Sequence, residues 1–337
     1  MASIDDVAAK AGVSTATVSR ALSGRVTVSP DTKQRVLDAA EALGYVVSAS
    51  ASGLASGRTR NIGIVVPFMS RWYYTQVIEG AQRELMKSGY DVTLYNLSAS
   101  DQQRDQVFGE LLHRQRVDAV IAVSLELTPT QVDALHAVGK PVVGVGGPIP
   151  GVPTLSIDDA EAARQATSYL ISLGHTKIGT INGGTYGESD FHLSSTRLSG
   201  FVKALEEGGC EFVDQWYSRA DYSFEDGYRA AKRILDLTDR PTAIFAASDE
   251  MAFGAILACR DAGVDVPGEM SIIGIDGHDH SQFFGLTTVA QYPQRQGARA
   301  ASILIDHLAS PETTSTGTNT TMPLDLIVRT STAPCGG

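Results

Sequence analysis

His278-Asp279-His280 puts two imidazoles around a carboxylate, the residue types that hold a metal ion. A metal site needs three or four ligands, usually brought together from separate segments, so one short cluster reads better as a polar loop. Gly144-Val-Gly-Gly147 is rich enough in glycine to approach a phosphate, but Pro148 and Pro150 follow where a dinucleotide loop requires a helix. His113, His136, His175, His192 and His307 are scattered, with no serine or cysteine motif beside them. Cys210, Cys259 and Cys335 have neither disulfide nor metal-ligand spacing, which fits a reducing compartment. No nucleophile, base and oxyanion donor converge. The expectation is a protein that is not an enzyme and uses no cofactor and no metal.

The spacing that does carry chemistry lies near the start. Ser3-Ile-Asp-Asp6 reads as a capped helix start, and Ile4, Val7, Ala8 and Ala11 form one apolar face that Gly12 ends. Ser14 caps a second helix over about Thr15 to Ser23, with Val13 and Val18 placed as a hydrophobic staple. Ser29-Pro30 starts a third, with Val36, Leu37, Ala40 and Leu43 inward and Gly44 as its stop. Two short helices, a tight turn and a supporting helix make a helix-turn-helix, whose second helix enters the major groove. Thr15, Ala16 and Ser19 would read bases as small groups, and Arg20 would pair with a guanine edge. From spacing alone, a three-helix bundle that packs on something else remains open.

Composition sets the frame. A hydrophobic share of 43% with 19% charged residues suits a globular protein, and the length suggests two or three domains. No apolar run reaches the roughly 18 residues of a membrane span, and no signal peptide is visible, so a cytoplasmic location is expected. The net charge of −11 argues against nucleic acid, but its distribution does not: residues 1–60 hold seven basic and five acidic side chains. A mildly basic head precedes an acidic body.

From Asn61 onward, apolar strands alternate with amphipathic helices. Strands are expected at Ile62–Val66, Val92–Tyr95, Ala119–Val123, Pro141–Val145, Ile178–Ile181, Ala243–Ala246 and Ile272–Ile275. Helices are expected at Tyr74–Ser88 and Gln102–Arg114, among others. The fold class is therefore α/β: a three-helix head, a linker, and two doubly wound parallel-sheet subdomains with a cleft at the strand C-termini. The body resembles periplasmic sugar-binding proteins. Crossings between subdomains are expected near Asp158, Gln291 and Thr320. Tyr73 and Tyr74 follow the first strand and could stack on a sugar or base. Asp276 ends a strand where a cleft acceptor is expected.

The stretch Asp6-Val-Ala-Ala-Lys-Ala-Gly-Val-Ser-Thr-Ala-Thr-Val-Ser-Arg-Ala-Leu22, continued by Val28-Ser-Pro-Asp-Thr-Lys-Gln-Arg-Val36 and Leu43-Gly-Tyr45, resembles the lactose-repressor/galactose-repressor (LacI/GalR) family. The resemblance implies a DNA-binding domain over 1–45, a hinge over 46–60 and an effector and dimerisation domain over 61–337. Within the last, one subdomain spans about 61–158 plus 292–320 and the other about 159–291 plus 321–331. DNA contacts fall to Ser14, Thr15, Ala16, Thr17, Ser19 and Arg20, with Leu54 as a minor-groove wedge. The hinge departs from the family at Val46, Val47, Ser48 and Ser52.

The same resemblance assigns effector contacts to Tyr73, Tyr74, Arg197, Tyr222 and Asp276, and to Ser248, which stands where Asn is common and can still hydrogen-bond with fewer groups; Ser124 and Asp158 are weaker candidates. Phe191 and Leu193 stand where purine-binding members carry basic and hydroxyl groups, so a sugar or glycoside is favoured over a purine. The implied protein is a homodimeric repressor of a near-palindromic operator, controlled by a small molecule, with no membrane partner. A solute-binding module without DNA work and a cleft hydrolase are the alternatives. An effector other than carbohydrate is also open.

Overall fold

The computed structural model describes residues 2–22, 28–45, 58–97, 116–125, 127–137, 139–183, 193–310 and 319–336. They fall into two compact units, residues 1–61 with 115–118, and residues 62–114 with 119–337.

The first unit holds α1 (Ile4–Ala11), α2 (Thr15–Leu22) and α3 (Pro30–Ala42). Ser3 and Asp6 close a reciprocal capping box on α1. Ser14 accepts from the Thr17 amide at 3.2 Å, and Ser29 from the Thr32 amide at 3.4 Å. Such caps contribute about 1 kcal/mol each. Val7, Val18 and Val36 are fully buried at the centre, ringed by Ala8, Ala11, Ala21, Ala39 and Ala40, with Val13 packed against them. Burial of each valine contributes about 1.5–3 kcal/mol, so three residues carry much of this small core.

The second unit is built on two six-stranded sheets. The first contains β1 (Asn61–Val66), β2 (Asp91–Asn96), β3 (Ala119–Val123), β4 (Val142–Val145), β5 (Thr154–Ser156) and β11 (Thr320–Thr321), in the order β11-β5-β4-β3-β1-β2. The second contains β6 (Ile178–Gly183), β7 (Tyr217–Ala220), β8 (Ala243–Ala246), β9 (Ser271–Asp276), β10 (Thr287–Ala290) and β12 (Asp325–Ile327), in the order β12-β10-β9-β8-β6-β7. All pairings within β6 to β10 are parallel, and β12 adds an antiparallel edge. Strands β3, β8 and β9 are buried along their whole length, as parallel strands covered on both faces must be.

Helices α4 (Trp72–Lys87), α5 (Pro129–Ala137) and α10 (Pro293–Ala309) serve the first sheet. Helices α6 (Asp159–Ser172), α7 (Leu193–Glu207), α8 (Phe224–Leu235) and α9 (Asp249–Asp261) serve the second. Each sheet has its own core: Ile62, Ile64, Val77, Ile121, Leu155 and Leu304 in the first, Phe201, Phe245, Ile272 and Ile275 among others in the second. Helices α4 and α10 touch backbone to backbone, because a Cβ on Gly297 would collide with the Val77 carbonyl and one on Gly80 with that of Gln294.

In both sheets the strand order reverses beside the first strand, at β1/β3 and at β6/β8, and such switch points open a crevice at the strand C-termini. The chain passes between the sheets after Ser156, after Ala290, and between Thr321 and Asp325. Among the described residues, no helix is long and apolar enough to cross a membrane.

Three differences from expectation have local causes. Helix α4 starts at Trp72, two residues early, because extended Arg71 precedes it without a side-chain cap that would mark the start. Strands β5, β7 and β10 were not expected: they are only three or four residues long. In β10 the buried Thr287 and Thr288 are satisfied by Ser331, Thr332 and Asp249 rather than by apolar packing. The expected helix at 102–114 lies outside the described residues.

Candidate functional site

At the start of α2, Thr15, Ala16 and Arg20 are exposed, while Thr17 and Ser19 are half-buried. The hydroxyls of Ser14 and Thr17 bond each other at 2.9 Å, and Ser14 also caps the helix. The exposed face of α2 is therefore Thr15, Ala16 and Arg20 with Ser19 beside them. Leu54, and the departures at Val46, Val47, Ser48 and Ser52, lie outside the described residues.

The second cluster lies where both sheets reverse. Arg197, on α7, is only 4% exposed. Its Nε and one terminal nitrogen donate to Asp159 Oδ1 at 2.9 and 2.8 Å, and the other terminal nitrogen donates to the Ala247 carbonyl after β8. Burial opposes the charge of this guanidinium, but Asp159, Tyr222 and Asp276 together more than offset it, so it stays protonated.

Asp276 closes β9 with φ 145 and is 7% exposed. Gln291 donates to its Oδ1 at 2.6 Å, and the Asp249 amide donates to its Oδ2 at 3.3 Å. Burial, reinforced by the neighbouring charge of Asp249, pushes the Asp276 carboxyl up to about 8, against the pull of Arg197. Asp249 is itself raised by burial although Thr288, Ser281 and the His278 amide all donate to it.

From the first sheet, Tyr73 donates its hydroxyl to Gln296 at 3.2 Å and is also bonded to Ser124, which follows β3. Burial raises its pKa. Gly146 is what admits this approach: a Cβ there would strike Ser124 Oγ and crowd the Tyr73 hydroxyl. From the second sheet, Tyr222 has φ 46 and shares a 3.2 Å hydrogen bond with Ser194. A buried chain then joins the two halves: Tyr73 to Gln296, Gln296 Nε2 to the Gln291 carbonyl at 2.7 Å, and Gln291 to Asp276. It runs through the second crossing between the sheets.

Contacts from the loop after β1 also reach the second half. Arg71 pairs with Asp221 at 3.2 Å, and Trp72 Nε1 donates to Asp279 at 3.1 Å. The Trp72 ring stacks on His278 with centroids 4.4 Å apart. Burial, then the neighbouring His280, lowers His278 to about 4, so it is neutral at pH 7. This places His278-Asp279-His280 against an indole, in a short 3-10 turn.

The structure thus brings together Tyr73, Ser124, Arg197, Tyr222 and Asp276. Tyr74 sits edge-on to Tyr73, at 5.3 Å between centroids. Two residues do not join as anticipated. Asp158 is exposed and caps α6 by accepting from the Glu161 amide; its neighbour Asp159 is the one turned to Arg197. Ser248 is buried and caps α9 by accepting from the Met251 amide. Asp159, Gln291, Gln296 and Trp72 were missed. The Asp158-Asp159 pair held the signal for the first, since only one of two adjacent carboxylates can cap a helix. His175, read as structural, bonds Thr242 and Ser271 within the second half.

Residues 59–330 match the family described as periplasmic binding proteins and sugar binding domain of LacI family, and residues 3–48 match bacterial regulatory proteins, lacI family. The chain belongs to the LacI family. A LacI-family relative, the HTH-type transcriptional repressor PurR of Mannheimia succiniciproducens, is 36% identical over 92% of each chain. A solved lac repressor dimer, bound to operator and the anti-inducer ONPF, has a TM-score of 0.85 at 25% identity, covering 98% of this chain and 99% of that one. A complex of the transcriptional regulator CelR with cellobiose has a TM-score of 0.72 at 29% identity, covering 98% and 100%. As in its LacI-family relatives, the helical head is a DNA-binding module, the two-sheet unit is a ligand-binding domain, and the protein is a transcription regulator rather than an enzyme.

Proposed function

We propose that this regulator represses transcription as a homodimer on a near-palindromic operator, and that an uncharged sugar or glycoside bound between the two sheets sets its affinity for that operator. The observation that carries the effector class is the charge balance around Arg197. Two of its nitrogens are already taken up by Asp159 at 2.9 and 2.8 Å, so the guanidinium carries no unmatched charge for an anion to neutralise. What remains is a set of hydroxyl, carboxyl and amide groups beside the rings of Tyr73 and Tyr222, a combination suited to hydroxyl groups and C–H faces. The likeness to a regulator solved with cellobiose supports the same class. An effector that prefers one spacing of the two halves shifts the population toward it, and linkage passes that preference to the DNA site.

Thermal shift and calorimetry with cellobiose, other mono- and disaccharides, guanine and adenine test the reading. A saccharide at about a hundred times its Kd stabilises the native state by about 2.7 kcal/mol, and Arg197→Ala and Asp276→Ala each abolish that gain. Stabilisation by a purine alone overturns the carbohydrate reading. Selection from random-sequence DNA by the full-length protein tests the operator, which should emerge as two inverted half-sites.

A further inference from the structure

One carboxylate holds the end of the segment that leads from the DNA-binding head. Asp118 Oδ1 accepts the Thr59 amide at 2.8 Å and the Thr59 hydroxyl at 3.0 Å, and Oδ2 accepts the Arg60 amide at 2.9 Å. The Asp118 amide in turn donates to the Asn61 carbonyl at 2.8 Å. Asp118 is 5% exposed, so its charge is met by these donors rather than by water. Arg60 sits at φ 54, a left-handed conformation that residues other than glycine seldom adopt, and the bond to Oδ2 fixes it there.

The placement gives this clamp a role. Thr59 and Arg60 run directly into β1, Asp118 runs directly into β3, and the two strands pair in parallel from Ile62 opposite Ala119. The clamp therefore closes this strand pair at its N-terminal end. Tyr73 and Ser124 follow the C-terminal ends of the same two strands, about 20 Å away along β1. Among the described residues, the hydrogen bonds of Asp118 go to Thr59, Arg60 and Asn61, not to α2 or to Arg197.

We propose that Asp118 is a positioning residue for operator binding: by clamping Thr59 and Arg60 it fixes where the linker leaves the first sheet, so that a shift of β1 and β3 reaches the linker instead of being lost in a slack joint. The inference rests on the DNA-regulatory function, and it concerns a residue that neither recognises DNA nor holds effector.

The test uses full-length protein and the DNA site that the wild type selects from a random-sequence pool. Asp118→Asn retains one acceptor and turns an NH2 toward an N–H donor. Thr59→Ala removes only the hydroxyl bond, and Thr59→Ser keeps it. Expected results are amide exchange at Thr59 and Arg60 at least tenfold faster in Asp118→Asn, and operator affinity on the order of tenfold weaker. Thr59→Ala should fall between that variant and the wild type, and Thr59→Ser should match the wild type. The slope of affinity against salt should not change, because no phosphate contact is removed.

A readout that simple destabilisation would not move is half-site spacing. Wild type should discriminate against operators lengthened by one or two base pairs, and Asp118→Asn should lose most of that discrimination. Unchanged exchange in Asp118→Asn overturns the clamp. Faster exchange with unaltered affinity and spacing preference overturns the positioning role. Failure of the wild type to select any DNA would instead sink the regulatory function, and the exchange measurement, which needs no DNA, tells these failures apart.

Discussion

Arg197 sets two of its nitrogens on a single oxygen of Asp159, at 2.9 and 2.8 Å, and so enters the cleft between the sheets already paired. A guanidinium held this way is a rigid donor, and its orientation depends on a helix N-terminus in the same half of the body.

Removing Asp159 leaves that guanidinium buried without its counter-charge. Asp159→Ala should lower the unfolding free energy by about 3 kcal/mol, the lower end of the cost of breaking a buried pair. Replacing both partners by Leu and Met should recover most of the loss while leaving saccharide binding abolished. Urea unfolding with a cycle of single and double variants measures the terms, and a loss under 1 kcal/mol for the single variant contradicts the buried-pair account.

Asp276 gives a pH dependence with a definite sign. Its folded pKa, about 8, lies above that of an unfolded aspartate, so the folded state holds the proton more tightly. That contribution is full at pH values below the unfolded pKa and is lost as pH rises through 8. His278, lowered to about 4, works the other way, but its effect is complete above its unfolded value near 6.5. Between pH 6.5 and 8 the urea midpoint of the wild type should therefore decline, and Asp276→Asn should flatten the decline. An equally steep decline in the variant would refute the assignment.

Trp72 offers a direct view of the contacts across the cleft. The chain has two tryptophans, and Trp216 is buried with its Nε1 on the Asp239 carbonyl. In Trp216→Phe, emission comes from Trp72 alone. It should fall as pH drops through about 4, where the stacked His278 gains a proton and becomes a quencher of indole. His278→Phe should abolish that step. Asp279→Asn, which weakens the bond to Trp72 Nε1, should shift the emission to the red at neutral pH.

For the head, Arg20→Ala should cost about 1–3 kcal/mol of operator affinity and relax preference at one base pair in each half-site. Electrophoretic or fluorescence titration against the selected operator and its single-base variants checks both. Uniform weakening at every sequence would mean that Arg20 contacts phosphate.

Much of this was legible before any coordinates. Ser3, Ser14 and Ser29 announce three helix starts because capping is local chemistry, written within four residues. Long apolar strands such as Ile272–Ile275 announce themselves in the same way. Asp276 was reached from its place at the end of a strand, and Arg197 only through family resemblance, since an isolated arginine carries no pattern. The partners of those residues were not legible. Gln291 and Gln296 serve by meeting Asp276 and Tyr73 across a crossing of the chain, and contacts of that range leave no spacing to read. Strand β10, whose buried threonines bond Ser331, Thr332 and Asp249, escaped because its burial is satisfied by hydrogen bonds that hydropathy does not register.

The three passages of the chain between the sheets bear on how this protein is made. Helix α10 belongs to the first half, yet it is encoded after the whole run from α6 to β10. After β5 is complete, roughly 140 further residues must be synthesised before α10 begins, about 7–30 s at ordinary translation rates. For that interval Val77, Ala81 and the Gly80 surface of α4 lack the helix that covers them. The second half, by contrast, has α6 to α9 and β6 to β10 in one unbroken stretch, with only the edge strand β12 outside it. The nascent chain should therefore assemble the five parallel strands of its second sheet while the first still lacks α10, with only the edge strand β12 to be added later, and it is at the uncovered first sheet that a chaperone would find work.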